Sequence, residues 1–171
     1  MKPHAVLLAC LALALVLGGC YVVPTAPPPP ATATYAIREV QIYFADVPRY
    51  VANTEPFETP VTRMLPDDGL LPEAAVREYF RGPTDDERAR GLEALTNGCT
   101  GFSSLTIENG IARLYLTGPC SSGGATYTLA GPVMATLLQF PEIEYVKLYD
   151  ETGQTGDPDG FSNSIPFSME P

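Results

Sequence analysis

The sequence predicts a single small α+β domain, in the order β-α-β-β-α-β, with a mixed or antiparallel sheet packed by two helices. Three observations carry this expectation. Residues 102–117 read as a β-hairpin closed by Asn109-Gly110. Residues 40–44 and 144–149 alternate apolar with other side chains, as half-buried strands do. Residues 72–80 and 130–138 repeat apolar side chains at helical spacing.

Taken in order, Val40, Ile42 and Phe44 share one face of the first strand. Asp46 to Thr59 holds several turn formers and no period, so an insertion or long loop is expected there. Pro60 to Leu65 reads as a short strand, placed at a sheet edge by its flanking prolines. Pro72 suits the first position of a helix whose stripe is Ala75, Val76, Tyr79 and Phe80, with Glu73 and Arg77 paired at i,i+4. Gly82 and Pro83 stop it. Thr84-Asp85-Asp86-Glu87 is a capping box opening a short helical turn, and capping accounts for three acids that could otherwise be read as catalytic.

In the hairpin, both central residues of a type I′ turn need φ > 0, which Asn-Gly meets most readily. The two-residue loop sets 108 opposite 111, 107 opposite 112 and 105 opposite 114. Leu105, Ile107, Ala112, Leu114 and Leu116 then face inward, while Ser104, Thr106, Arg113 and Tyr115 face outward. Carried further, the same register sets Cys99 opposite Cys120 in a non-hydrogen-bonded position, where Cα atoms come closest. Gly98, Gly101, Gly118 and Pro119 disrupt the ladder on the way, so either a disulfide or two reduced, buried thiols fits the pattern. A disulfide closing a loop of this size would contribute about 3 kcal/mol in the chain-entropy model.

After the hairpin, Ala130, Val133, Met134, Leu137 and Leu138 mark a core-facing helix. Pro132 stands at its first position after Gly131 or in an irregular first turn, and Pro141 ends it. In 144–149, Val146 and Leu148 point inward. Residues 151–171 form an irregular tail rich in Gly, Asp, Ser and Pro, in which Phe161, Ile165 and Phe167 are the residues available to pin it.

The chain of 171 residues has ten Lys+Arg against twenty Asp+Glu, a net charge of −10, and 18% charged residues. An acidic chain is repelled by nucleic acid and by anionic headgroups, so a nucleic-acid partner is excluded. Residues 1–19 have the layout of a secretory leader, with a basic start at Lys2 and an uncharged apolar run from Ala5 to Leu17 too short to span a bilayer comfortably. The run ends in Leu17-Gly18-Gly19-Cys20, which resembles a bacterial lipobox; no Ala-x-Ala cleavage site follows. That resemblance implies a lipoprotein signal peptide, a mature chain starting at a lipidated Cys20, and several acyl chains, enough for stable anchoring. Tyr21 stands where an inner-membrane retention signal would place Asp, and Cys10 leaves with the leader. Residues 20–36 continue as a Pro-rich linker, with Pro27 to Pro30 in a run; at about 3.1 Å per residue it could hold the domain up to roughly 50 Å from the bilayer. Export to an oxidising compartment leaves Cys99 and Cys120 as the only unmodified cysteines, which favours the disulfide over the thiols.

Three stretches together are similar to the GerMN domain, the sporulation and spore-germination domain of bacterial lipoproteins. They are 40–44 with Pro60-Val-Thr-Arg63, Phe80-Arg-Gly-Pro-Thr84 with Gly91-Leu92, and Tyr127-Thr-Leu-Ala130 with Leu137-Leu-Gln-Phe-Pro141 leading into Val146-Lys-Leu-Tyr149. The resemblance covers residues 37–150 and departs from the family in the Cys99–Cys120 pair and the 46–59 insertion. It implies a non-catalytic envelope module that assembles with other proteins, and supplies no catalytic motif.

The residues agree with that. His4, the only histidine, lies in the leader, which removes His-dependent nucleophilic and metal schemes from a mature chain. No glycine-rich nucleotide motif is present, and no metal or cofactor is expected. Asp157-Pro-Asp159-Gly160 lacks the remaining ligands of a calcium loop and reads as a turn. A carboxylate-pair glycosidase would lack Trp, the best sugar-stacking side chain. Two candidate binding features remain. Ser121-Ser122-Gly123-Gly124 could offer backbone N–H groups to an anion or carboxylate, or be a plain flexible connection. Arg113 and Tyr115 on the outward hairpin face could contact a partner, or be ordinary solvated residues. The expectation is a non-enzymatic, lipid-anchored module on the extracytoplasmic face of a bacterial cell membrane, bound to another envelope protein. The alternative is a lipoprotein that binds a small ligand or cell-wall glycan.

Overall fold

The first strand is the longest, and the first of two sheets is built on it. The computed structural model describes residues 35–171, so the leader, Cys20 and the Pro-rich linker lie outside the described residues. The elements are β1 (Ala36–Asp46), α1 (Val47–Val51), β2 (Glu58–Asp67), α2 (Leu71–Arg81), α3 (Asp85–Ala89), β3 (Leu92–Glu93), β4 (Gly101–Glu108), β5 (Ile111–Thr117), α4 (Ala130–Leu138) and β6 (Tyr145–Tyr149), followed by a 3-10 turn at Phe167–Met169. The class is α+β, as expected.

The strands make two three-stranded sheets, β2-β1-β3 and β4-β5-β6, where one sheet was expected. Only β5 and β6 run parallel among the paired strands. Helix α4 supplies the reason for the split. It lies along the edge of β1 away from β2, where the Tyr43 N–H donates to Thr136 Oγ1 (3.0 Å) and the Gln41 N–H to Gln139 Oε1 (2.9 Å). Gln139 Nε2 returns a bond of 2.6 Å to the Gln41 carbonyl. An edge capped by side chains has no backbone groups left for a further strand there. This also corrects the α4 stripe: Thr136 is fully buried, while Leu138, expected inward, is 39% exposed. Thr136→Val keeps the shape and removes the acceptor, leaving the Tyr43 N–H unpaired. Urea denaturation should show a loss of about 1–2 kcal/mol.

On its other edge β1 pairs with β2 from Ala36↔Asp67 to Ala45↔Glu58. Because Gln41 and Tyr43 turn their N–H groups to α4, their partners Thr62 and Pro60 turn theirs outward. Pro60 and Pro66 therefore fall at outward-facing positions and have no N–H to offer, which blunts this edge against further pairing.

The region expected to be a loop from Asp46 to Thr59 is ordered differently: Val47–Val51 is helical and β2 already begins at Glu58. Helix α2 carries Pro72 in its first turn, buries Ala75, Val76 and Tyr79, and stops at Gly82. Phe44 and Tyr79 stack at 5.6 Å, joining the first sheet to α2. Val133 and Leu137 of α4, then Ala112, Leu114, Val146 and Leu148, continue the same buried cluster into the second sheet.

The hairpin has the expected turn, with Asn109 at φ 53° and Gly110 at φ 79°, and the expected register from Glu108↔Ile111 out to Ser104↔Tyr115. The register then shifts between Phe102 and Ser104, so that Phe102 faces Leu116. The cysteines thus sit beyond the ladder, their N–H groups turned to Thr96 and Gly118 carbonyls. They are nevertheless disulfide-bonded, with Cα atoms 4.6 Å apart. Gly98 lets the chains approach there: a Cβ on it would lie 2.5 Å from the Pro119 carbonyl oxygen.

In the tail, Phe161 and Phe167 are 82% and 64% exposed, whereas Met169 is fully buried and Ile165 packs on the core. Met169, rather than the two phenylalanines, pins it. Alternation placed only Val146 and Leu148 of β6 inward, yet Lys147 between them is also fully buried. Its ammonium donates to the Asp157 carbonyl, which is how a buried cation on a strand is satisfied.

Candidate functional site

The segment expected to be an irregular insertion, 46–58, is a braced projection. Asp46 caps α1, its Oδ1 accepting from the Arg49 N–H (3.0 Å) and its Oδ2 from Thr59 Oγ1 (2.7 Å). Pro48 stands in the first turn, where a missing N–H costs nothing. The Arg49 guanidinium donates to the carbonyls of Pro56 (2.7 Å) and Glu55 (2.8 Å), closing the segment on itself. The Ala52, Asn53 and Thr54 N–H groups bond back to Pro48, Tyr50 and Arg49. None of α1 is buried, and it presents Val47, Tyr50 and Val51 to solvent at 38%, 43% and 78% exposure. A short helix held by polar bonds while showing apolar side chains is an arrangement suited to contact rather than to core packing.

Behind α1 stands a cluster of three rings. Tyr50 stacks on Tyr127 at 5.7 Å, and Phe57 meets both edge-on, at 5.5 and 5.6 Å. The Tyr127 hydroxyl donates to the Glu58 carboxylate at 2.8 Å; burial first, and that bond second, push the phenol well above its ordinary pKa. It stays a neutral donor. Two of the rings, Tyr50 and Tyr127, line a cleft of about 230 Å³ together with Ala45, Val47, Leu95 and Ala125, with Glu93 as its one charged member. Apolar walls and a single carboxylate can hold an apolar side chain. The sequence carried a faint signal of this site, two aromatics and two valines in a stretch with no period, which periodicity has no means of placing.

The expected site residues lie elsewhere, in two separate groups. From Ser121 to Ala125 each backbone N–H already has an internal acceptor: Asn97 O, Ser168 O, Ser121 Oγ, Ser122 Oγ and Ser122 O. Ser122 Oγ also donates to the Glu170 carbonyl at 2.7 Å. These bonds tie the stretch to the C-terminal tail, and an anion there would have to displace them. Arg113 and Tyr115 are half-buried on the outward face of β5. Tyr115 stacks on Tyr149 at 4.6 Å and borders a cleft of about 410 Å³ whose far side is Asp150 to Gly153. Among the described residues no three His, Cys, Asp or Glu side chains are grouped to hold a metal, and no helix is long and apolar enough to cross a membrane.

The capping box at Thr84 is present, with the Glu87 carboxylate accepting from the Thr84 N–H at 2.8 Å. Glu87 has a second role that capping did not suggest. Arg63, on β2, donates to both its oxygens, at 2.8 and 2.6 Å, and stands 4.0 Å from Glu78. The Arg63 hydrogen bond, against the cost of burial, holds the Glu87 carboxyl down at about 2. The pair locks α3 to β2 and belongs to the scaffold.

Comparison with known proteins gives one family: that described as Germane, sporulation and spore germination, matches residues 41–154. No curated protein matches. Among solved structures, the tandem GerMN domains of the sporulation protein GerM from Bacillus subtilis are 18% identical with a TM-score of 0.49, over 84% of this chain and 51% of that one. The first GerMN domain of the same protein is 21% identical with a TM-score of 0.46, over 79% of this chain and 97% of that one. This chain thus spans about half the length of the tandem-domain protein, at 51%.

Proposed function

The chain belongs to the Germane family of sporulation and spore-germination domains, and from that premise we propose that it is a non-catalytic, lipid-anchored binding module of the bacterial cell envelope. Its lipid is carried on Cys20, and its domain, held off the membrane by the Pro-rich linker, docks another envelope protein through α1 and the ring cluster behind it. The observation that supports this best is the braced exposure of Val47, Tyr50 and Val51 beside an apolar cleft. Partner-binding energy concentrates on aromatic anchors next to such clefts. The acidic chain disfavours direct adhesion to anionic lipid, so attachment falls to the acyl groups rather than the domain surface.

The test is co-purification from detergent-solubilised native membranes. Val51→Asp places a charge on a side chain that touches no core, so it leaves folding unchanged. It should reduce recovery of the partner about tenfold or more. Equal recovery by Val51→Asp and the unaltered chain would remove α1 from the contact. Cys20→Ser should release the protein from the membrane fraction, and an unchanged distribution would remove the lipid anchor.

A further inference from the structure

The family match ends at residue 154, yet the chain beyond it is built into the second sheet. Strand β6 is the outer strand of β4-β5-β6, so one row of its backbone groups has no strand partner. Residues 163–164 take that row. The Leu148 N–H donates to the Ser164 carbonyl (2.9 Å), the Ser164 N–H to the Val146 carbonyl (3.0 Å), and the Val146 N–H to Asn163 Oδ1 (2.9 Å). Lys147 and Ser164 form a parallel bridge, as if a fourth strand had been begun and cut to one residue.

Ahead of Ile165, which packs on the core, what holds this segment down is polar. From 151 through 164 the only buried residues are Thr155 and Ser164, whose hydroxyls bond each other at 2.7 Å. Ser164 Oγ also donates to the Asp157 carbonyl at 3.1 Å, and Lys147 Nζ to the same carbonyl. Asp157 in turn accepts from the Gly160 N–H (2.9 Å) and Ser162 Oγ (3.0 Å). Ile165, with the buried Pro166 and Met169 after it, is the apolar anchor of the tail, and the polar stretch ahead of that anchor opens at lower cost than the core strands beneath it. The strand it covers is otherwise an open acceptor edge, buried on both faces.

We propose that the β6 edge is a strand-acceptor site which the chain keeps closed with its own residues 155–165, and that its occupant on opening is the same segment of a second copy. The seated sequence argues for that occupant. Asn163, Ser164 and Asp157 each make side-chain bonds that an arbitrary extended peptide would not supply, and the exposed turn at 150–154 can serve as the hinge of an exchange. This inference concerns a different surface from α1 and does not rest on the proposed partner.

Amide hydrogen exchange on the domain within the full mature chain tests it. Ser164→Pro removes the N–H that bonds Val146 and should speed exchange at Leu148 about tenfold, leaving Ile42 and Tyr43 unchanged. A synthetic peptide of residues 155–171, added to this variant, should restore slow exchange at Leu148, and a scrambled peptide should not. Unchanged exchange at Leu148 in the folded variant overturns the cover, and fast exchange that the peptide does not slow overturns the acceptor. Should Ser164→Pro also lose protection at Tyr43, Asn163→Ala, which removes only the acceptor for the Val146 N–H, is read the same way at Val146.

Discussion

Replacing Cys99 and Cys120 together by serine is expected to lower the stability of the domain by about 3 kcal/mol. The bond closes a loop of sequence separation 21. In the chain-entropy account its effect acts on the unfolded chain, which gains freedom when the link is cut. The native side should change little, because the register from Ser104↔Tyr115 to the Asn109-Gly110 turn is held by its own ladder and by Leu114 and Leu116 in the core. Past the shift at Phe102 the two segments are joined, besides the disulfide, by the Thr100 N–H to Thr117 carbonyl bond (2.7 Å) and the Ser121 N–H to Asn97 carbonyl bond (2.8 Å), so this end also stays closed in the native state. In thermal denaturation the double serine variant should melt roughly 10 °C below the unaltered domain. Adding reductant should lower the unaltered domain equally. Equal melting temperatures in all three conditions would show that the bond is not formed in the folded protein.

The second large effect is expected at Arg63. Arg63→Ala leaves Glu87 and Glu78, whose side chains are 10% and 13% exposed, without their shared cation. Glu78 keeps its ion pair with Arg81, so the loss should be about 2 kcal/mol, the cost of leaving the partly buried Glu87 carboxylate without its cation. The same pair sets a pH dependence. Glu87 has its carboxyl lowered from the ordinary 4.5 to about 2, so its contribution is complete above the unfolded value and is lost as pH falls from 4.5 through about 2. Melting temperature should therefore fall across that interval in the unaltered protein and fall less steeply in Arg63→Ala. Parallel curves for the two would remove the pair from the acid limb.

Which parts of this structure could be read in advance follows from the range of the interactions. The hairpin, α2 and the Thr84 capping box rest on contacts within a few residues, and a turn dipeptide, a stripe or a box announces each one. Features that join distant segments gave no such sign. Thr136 looks like a polar interruption of the α4 stripe until its hydroxyl is seen to serve the Tyr43 amide 93 residues away. Lys147 reads as a solvent-facing position until Asp157 is brought to it, and Arg63 and Glu87 are 24 residues apart. The split into two sheets has the same origin, since it depends on where α4 comes to rest. The site was hidden for another reason. Residues 46–58 are organised by the Asp46 cap and the Arg49 clamp, which leave no period, so an ordered projection has the composition of a loop. The cysteine pairing was legible although the register argument for it fails at Phe102: compartment and count pointed to it independently.

The most direct test of the account is photo-crosslinking in the native membrane, with a benzoylphenylalanine placed at position 51 in one protein and at position 115 in another. A reproducible adduct with one envelope protein is expected from position 51, lost on addition of the Tyr50→Ala change, with no equivalent adduct from position 115. Adducts from position 115 alone would contradict it and move the binding surface from α1 to the cleft beside Tyr115, and glycan with no protein from either position would contradict it in favour of a glycan-binding lipoprotein.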